Sequence, residues 1–110
     1  SVARASTVSR MAVYLRGMGA SGLGVEAAAR TAAVLSTGAE GAIPLKEGYA
    51  AAMAAQNTSY ACVEKNIRSM VGKLQAGACG EYQALMGGLP AERPSNELFL
   101  RRLARRILEW

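Results

Sequence analysis

Glycine and proline divide this chain into blocks, and inside each block apolar residues return at intervals of three and four. That rhythm collects them on one side of a 3.6-residue helix, whereas a half-buried strand needs strict alternation, which no segment shows. Thr7 to Met18 carries Val8, Met11, Ala12, Leu15 and Met18 in this register and stops at Gly17-Met18-Gly19. Ser21 to Gly24 reads as a connection. Val25 to Leu35 repeats the pattern with Val25, Ala28, Ala29, Ala32 and Leu35, and Ser36-Thr37-Gly38 closes it. Ala39 to Pro44 reads as a loop with Ile43 tucked in. Leu45 to Ala55 is a third helix, Ser59 to Leu74 a longer fourth, and Glu81 to Met86 a short fifth ended by Gly87-Gly88. Pro90 and Pro94 bracket an extended link. Ser95 then caps a last helix running through Glu109, with Glu97 in its first turn favourable to the helix dipole. The sequence thus predicts an all-α fold of about six helices, one domain over residues 1–110, without repeats and without the strands of a winged helix.

Composition agrees. Hydrophobic residues are 51% of the 110, but aromatics are only 5% and much of the apolar share is alanine. Small side chains of this kind suit closely packed helices better than a β-sandwich. The chain has no histidine and no aspartate. Histidine-based metal sites, Ser-His-Asp triads and Cys-His nucleophiles are therefore excluded within it, as is an aspartate phosphoacceptor. None of the eight scattered glutamates falls into an acid–base spacing. The expectation is a protein that is not an enzyme and needs neither metal nor cofactor.

Cys62 and Cys79 lie 17 residues apart with no CxxC. They read as two reduced, partly buried thiols of a cytoplasmic protein, with a single disulfide as the alternative. Arg4 and Arg10 interrupt the only early apolar stretch, which argues against a signal peptide. The longest uncharged run, Gly48 to Val63, contains Gln56, Asn57, Thr58 and Ser59 and cannot span a bilayer. A start at Ser1 rather than methionine reads as a piece of a longer protein. A net charge of +5 and a pI near 9.7 make polyanions the first partners to consider.

The third and fourth helices, separated by the short polar Gln56-Asn57-Thr58, have the layout of a helix-turn-helix, with Asn57 or Thr58 available as the cap. At 100° per residue, Val63, Ile67, Met70, Val71 and Leu74 share one side of the fourth helix. Ala61, Lys65, Arg68 and Gly72 share the opposite side, flanked by Glu64 and Cys62. A helix entering a DNA groove needs this combination of little bulk and long polar arms. Lys and Arg can donate to guanine, and Glu can accept from cytosine. An ordinary solvated face has the same composition, so the two readings stand side by side. In the last helix Arg101, Arg102, Arg105 and Arg106 flank an apolar face of Phe99, Leu100, Leu103, Ile107 and Trp110. These arginines read either as phosphate contacts or as a solvated stripe pairing with Glu97 and Glu109.

The run Asn57-Thr58-Ser59-Tyr60-Ala61-Cys62-Val63-Glu64-Lys65-Asn66-Ile67-Arg68 resembles the recognition-helix segment of the stage-zero sporulation response regulators of endospore-forming bacteria, in their C-terminal effector domain. The family pattern is Asn-Thr-Thr/Ser, three variable positions, Val-Glu-Arg/Lys, one variable position, Ile-Arg. Arg93-Pro94-Ser95-Asn96-Glu97-Leu98-Phe99-Leu100 is similar to the family's Lys-Pro-Thr-Asn-Ser-Glu-Phe-Ile, which opens its last helix. The N-terminal third matches in helix order with weak identity.

That resemblance implies a six-helix DNA-binding domain that follows a phosphorylated receiver domain, the receiver lying outside this chain. It also implies binding to tandem promoter boxes resembling TGTCGAA, a homodimer on DNA and contact with RNA polymerase. Carried over position by position, it places Glu64, Lys65 and Arg68 at base edges and backbone. Cys62 stands where the family commonly has arginine, and Lys65 replaces an arginine, losing the bidentate fork that suits guanine. The expected interface is Asn57, Thr58, Ser59, Ala61, Cys62, Glu64, Lys65, Arg68 and Lys73 on double-stranded DNA. Two rival readings are a helical protein-interaction module with an exposed basic face, and a membrane-surface protein inserting Phe99 and Trp110.

Overall fold

A computed structural model describes residues 4–110; residues 1–3, with the Ser1 start, lie outside that range. Six α-helices follow one another: α1 (Ala5–Gly17), α2 (Leu23–Leu35), α3 (Leu45–Gln56), α4 (Tyr60–Gly77), α5 (Gly80–Met86) and α6 (Asn96–Leu108). Among the described residues there is no strand. The fold is all-α, as the periodicity predicts.

The centre of the molecule is α2, packed against α1, α3, α4 and α6. Nearly its whole circumference is buried: Val25, Ala27, Ala28, Ala29, Thr31, Ala32, Ala33, Val34 and Leu35 have almost no exposure. A helix that is apolar on all but one narrow stripe, here Glu26 and Arg30, belongs inside, and alanine lets four neighbours approach it at once. Two glycines mark the closest approaches. A Cβ on Gly24 would lie 2.5 Å from the Asn66 carbonyl oxygen of α4, so α2 and α4 touch backbone to backbone. A Cβ on Gly48 of α3 would come within 2.8 Å of Thr31 Cγ2, while Thr31 Oγ1 donates to Gly48 O at 3.4 Å. The connection expected over Ser21–Gly24 is accordingly shorter. The helix begins at Leu23, because Gly24 is needed inside α2 as the contact point.

Expected helix ends shift by one to three residues, most clearly around α4. Asn57 is not the cap of α4 but the left-handed end of α3 (φ 50°), and Thr58 N–H donates back to Met53 O at 3.1 Å. Ser59 caps α4, its hydroxyl accepting from Cys62 N–H at 3.2 Å. Further on, α4 passes Leu74 and ends only where Ala78 turns left-handed. Its extra turn is anchored by Gln75, which donates to Pro90 O at 2.7 Å and accepts from Tyr82 Oη at 2.6 Å. Ser95 caps α6 as the sequence predicts, its hydroxyl accepting from Leu98 N–H at 3.1 Å. Phe99, Leu100 and Leu103 are fully buried, each worth about 1.5–3 kcal/mol of burial. Ile43 is buried in its loop as expected.

Candidate nucleic-acid interface

The back of α4 is fixed by Val63, Ile67, Met70, Val71 and Leu74, all buried, which are the residues the helical rhythm selects. With that side committed, α4 has one rotational setting. Ala61, Cys62, Lys65 and Arg68 face solvent, and Gly72 is half-buried. Asn57, Ser59 and Lys73 are also exposed, while Thr58 and Glu64 are half-buried. The nine expected interface residues therefore share one helix and the turn that precedes it. No bulky apolar side chain stands on the front at positions 61, 65, 68 and 72.

The turn is held from behind. Tyr49 of α3 is buried and meets Tyr60, the first residue of α4, edge to face at 5.0 Å between ring centres. Asn96, the first residue of α6, spends one amide nitrogen on both neighbours, donating to Glu64 O at 3.0 Å and to Tyr49 Oη at 3.2 Å. Burial raises the pKa of Tyr49, and the hydrogen bond donated by Asn96 opposes that shift. The Arg93–Leu100 segment thus earns its place structurally: one side chain ties α6, α3 and α4 together. Sequence reasoning found that segment but not this link, because nothing in a linear pattern says which carbonyl an amide will reach.

The start of α4 is electropositive. The Ser59 hydroxyl accepts from Cys62 N–H and its carbonyl from Val63 N–H, while the N–H groups of Tyr60 and Ala61 have no acceptor within the helix. No acidic side chain sits in its first turn, whereas α2, α3, α5 and α6 carry Glu26, Glu47, Glu81 and Glu97 there. An uncompensated helix N-terminus favours an anion. Hydrogen bonding to the Ser59 and Thr58 side chains, with the nearby Lys65 charge, lowers the pKa of the Cys62 thiol. Both cysteines are free, Cys62 exposed and Cys79 half-buried with its thiol against Met18 O, so the disulfide alternative is not realised.

Cations on the front of α4 are lightly held. Arg68 pairs with Glu64 at 3.4 Å across one helical turn, both side chains being more than 40% exposed. Such a pair is worth only a few tenths of a kcal/mol and is easily exchanged for another anion. Lys65 and Lys73 have no ion pair among the described residues. Open clefts flank α4 on either edge. One, of about 170 Å3, lies between Ser69 and Lys73 of α4 and the start of α2. The other, of about 320 Å3, is bounded by Arg68, Arg93, Ser95 and Glu97.

The arginines of α6 are differently placed. Arg101 donates to Ile43 O at 2.8 Å and pairs with Glu97 at 3.1 Å. Arg102 donates to Leu85 O at 3.4 Å, and Arg105 grips Glu40 at 2.7 Å. Arg106 pairs with Glu109 at 3.6 Å and lies over the Tyr14 ring. The solvated-stripe reading of this helix is thus extended to a set of internal fasteners, with Glu40 and two backbone carbonyls as partners beyond those expected. Trp110 meets Tyr14 edge-on and lies 4.2 Å beneath the Arg10 guanidinium, which ties the chain end to α1. Phe99 is fully buried and has no free face to insert into a lipid surface. No helix among the described residues is long and apolar enough to cross a membrane.

No protein-family model, curated protein or solved structure matches this chain.

Proposed function

We propose that this chain is a sequence-specific, double-stranded-DNA-binding domain of a transcription regulator, of the sporulation-initiation effector type, with α4 in the major groove. One observation carries the reading: α4 presents a slim cationic front over an immobilised apolar back. Lys65 and Arg68 donate to base edges or adjacent phosphates, and Glu64 accepts from cytosine once Arg68 leaves it. The free N–H groups at the start of α4, with Asn57, Thr58 and Ser59 around them, take a backbone phosphate. Lys73, on the opposite edge, is a second phosphate contact.

The resemblance to the sporulation regulators adds tandem boxes, pairing of two copies on DNA, contact with RNA polymerase and a receiver domain elsewhere in the parent protein. Substitution of arginine by Cys62 and Lys65 removes donors at the groove floor, which makes an altered box preference part of the proposal. A titration of the protein on duplexes carrying the TGTCGAA-like box, and on scrambled duplexes at the same salt, tests it. Tighter binding to the box is expected. Equal affinity for both sequences would remove the specific-reader claim, and no binding even at low salt would favour a protein-interaction module with a basic face.

A further inference from the structure

Along the front of α4 the successive turns carry Ala61, Lys65, Arg68 and Gly72. The cationic stripe therefore ends in a gap, since position 72 has no side chain. The gap is covered from elsewhere. Arg93, in the link between α5 and α6, lays its side chain against Gly72, where a Cβ would sit 3.6 Å from Arg93 Cδ. Its neighbour Pro94 is buried, which pins the link against the body of the protein at this point. Arg93 itself is exposed and has no ion pair among the described residues. It also shares a cleft with Arg68. The carboxylates bounding that cleft are already paired, Glu64 with Arg68 and Glu97 with Arg101.

We infer that Arg93 is a further DNA-contacting residue, one that holds a backbone phosphate at the edge of the groove entered by α4. The inference rests on the DNA reading above and adds to it a residue outside the helix-turn-helix. Positions 68 and 72 are about 6 Å apart along a helix axis, so a guanidinium above Gly72 continues the stripe by one turn. The duplex backbone is a closely spaced row of negative charge, so a cation at the end of the reading helix meets a phosphate rather than a base. Arg93 thereby takes the role that a long side chain on α4 would otherwise fill.

The test compares the unaltered chain with Arg93→Gln, Arg93→Lys and Arg105→Gln on box-bearing and scrambled duplexes across a salt series. Arg93→Gln is expected to weaken both duplexes by the same factor, roughly five- to tenfold. It should also lower the slope of log K against log salt by about 0.9, the signature of one lost phosphate contact. Arg93→Lys should restore most of the affinity, since a phosphate accepts a point charge. Arg105→Gln removes the same formal charge from α6 and should leave the slope unchanged, which separates a local contact from a change in net charge.

An unchanged affinity and slope for Arg93→Gln, with the unaltered chain still preferring the box, would overturn the phosphate contact and leave the DNA reading standing. A changed box-to-scrambled ratio in Arg93→Gln would overturn it too, because the residue would then read a base. Failure of the unaltered chain to bind either duplex would overturn both.

Discussion

Helices α4 and α6 both carry cations at helical spacing, and by charge alone α6, with four arginines, looks the better partner for a polyanion. The structure places the two sets of charges differently. On α6 each arginine has a partner within the molecule, and those partners lie in a distant loop, in α5 or on α6 itself. On α4 the cations face outward, and the one pair present spans a single exposed turn. The difference teaches that the number of charges on a helix face does not say how many of them are already paired within the fold. Arg101 and Arg102 are committed to main-chain oxygens and hold the fold, whereas Lys65 and Lys73 have no ion pair among the described residues.

The contrast can be broken at its base by disturbing the seat of α4. Gly24→Ala places a methyl group against the Asn66 carbonyl and should cost about 1–3 kcal/mol of stability, despite alanine's better helix propensity. Thermal unfolding followed by circular dichroism would register this, and duplex binding should weaken with it. An unchanged melting curve would mean that α2 and α4 are not in backbone contact. Next in size, Lys65→Ala and Arg68→Ala should each reduce discrimination between box and scrambled duplex by up to about 1–3 kcal/mol while leaving unfolding nearly unaltered. Competition titrations give the first quantity and chemical denaturation the second.

Arg101→Ala is the reciprocal case. Loss of the bond to Ile43 O should lower stability by about 1–2 kcal/mol without changing box preference, reversing the pattern of Arg68→Ala. A loss of box preference from Arg101→Ala at unchanged stability would erase the distinction drawn between the two helices.

A smaller effect concerns reactivity. The thiol of Cys62 is exposed on the front of α4 and its pKa is lowered, so its thiolate forms at a pH below that of an ordinary cysteine. Because thiolate is the nucleophile, iodoacetamide should label Cys62 ahead of half-buried Cys79, its rate rising with pH and levelling off earlier than for a model thiol. Saturating box duplex should slow that labelling. Mass spectrometry of the modified peptides decides both points. The least effect is expected from Arg105→Ala, whose pairing with Glu40 is exposed and screened by salt, with duplex binding unaltered.

What could be read from the chain is what periodicity encodes. The buried set of α4 follows from spacing, because a helix has one period and burial selects one face of it. The Ser95 cap follows from local chemistry, since the hydroxyl and the amide it satisfies are only three residues apart. The cap of α4 does not follow in the same way, because Asn57, Thr58 and Ser59 are adjacent and chemically near equivalent. Asn57 tolerates the left-handed conformation that ends α3, and that left Ser59 to begin α4. The end of α4 is not legible either: Gln75 ties down a turn beyond Leu74 through partners at Pro90 and Tyr82, and the helix stops only at Gly77.

Sequence by itself determined the fold class, the number of helices and the orientation of α4 about its own axis, all of which depend on contacts within a few residues. Only the tertiary structure decided which cations remain available. The partners of Arg101, Arg105 and Arg93 lie 58, 65 and 21 positions away, at Ile43, Glu40 and Gly72. Whether a guanidinium is spent or free depends on how helices distant in the chain come together, and local hydrophobic rhythm carries no record of that.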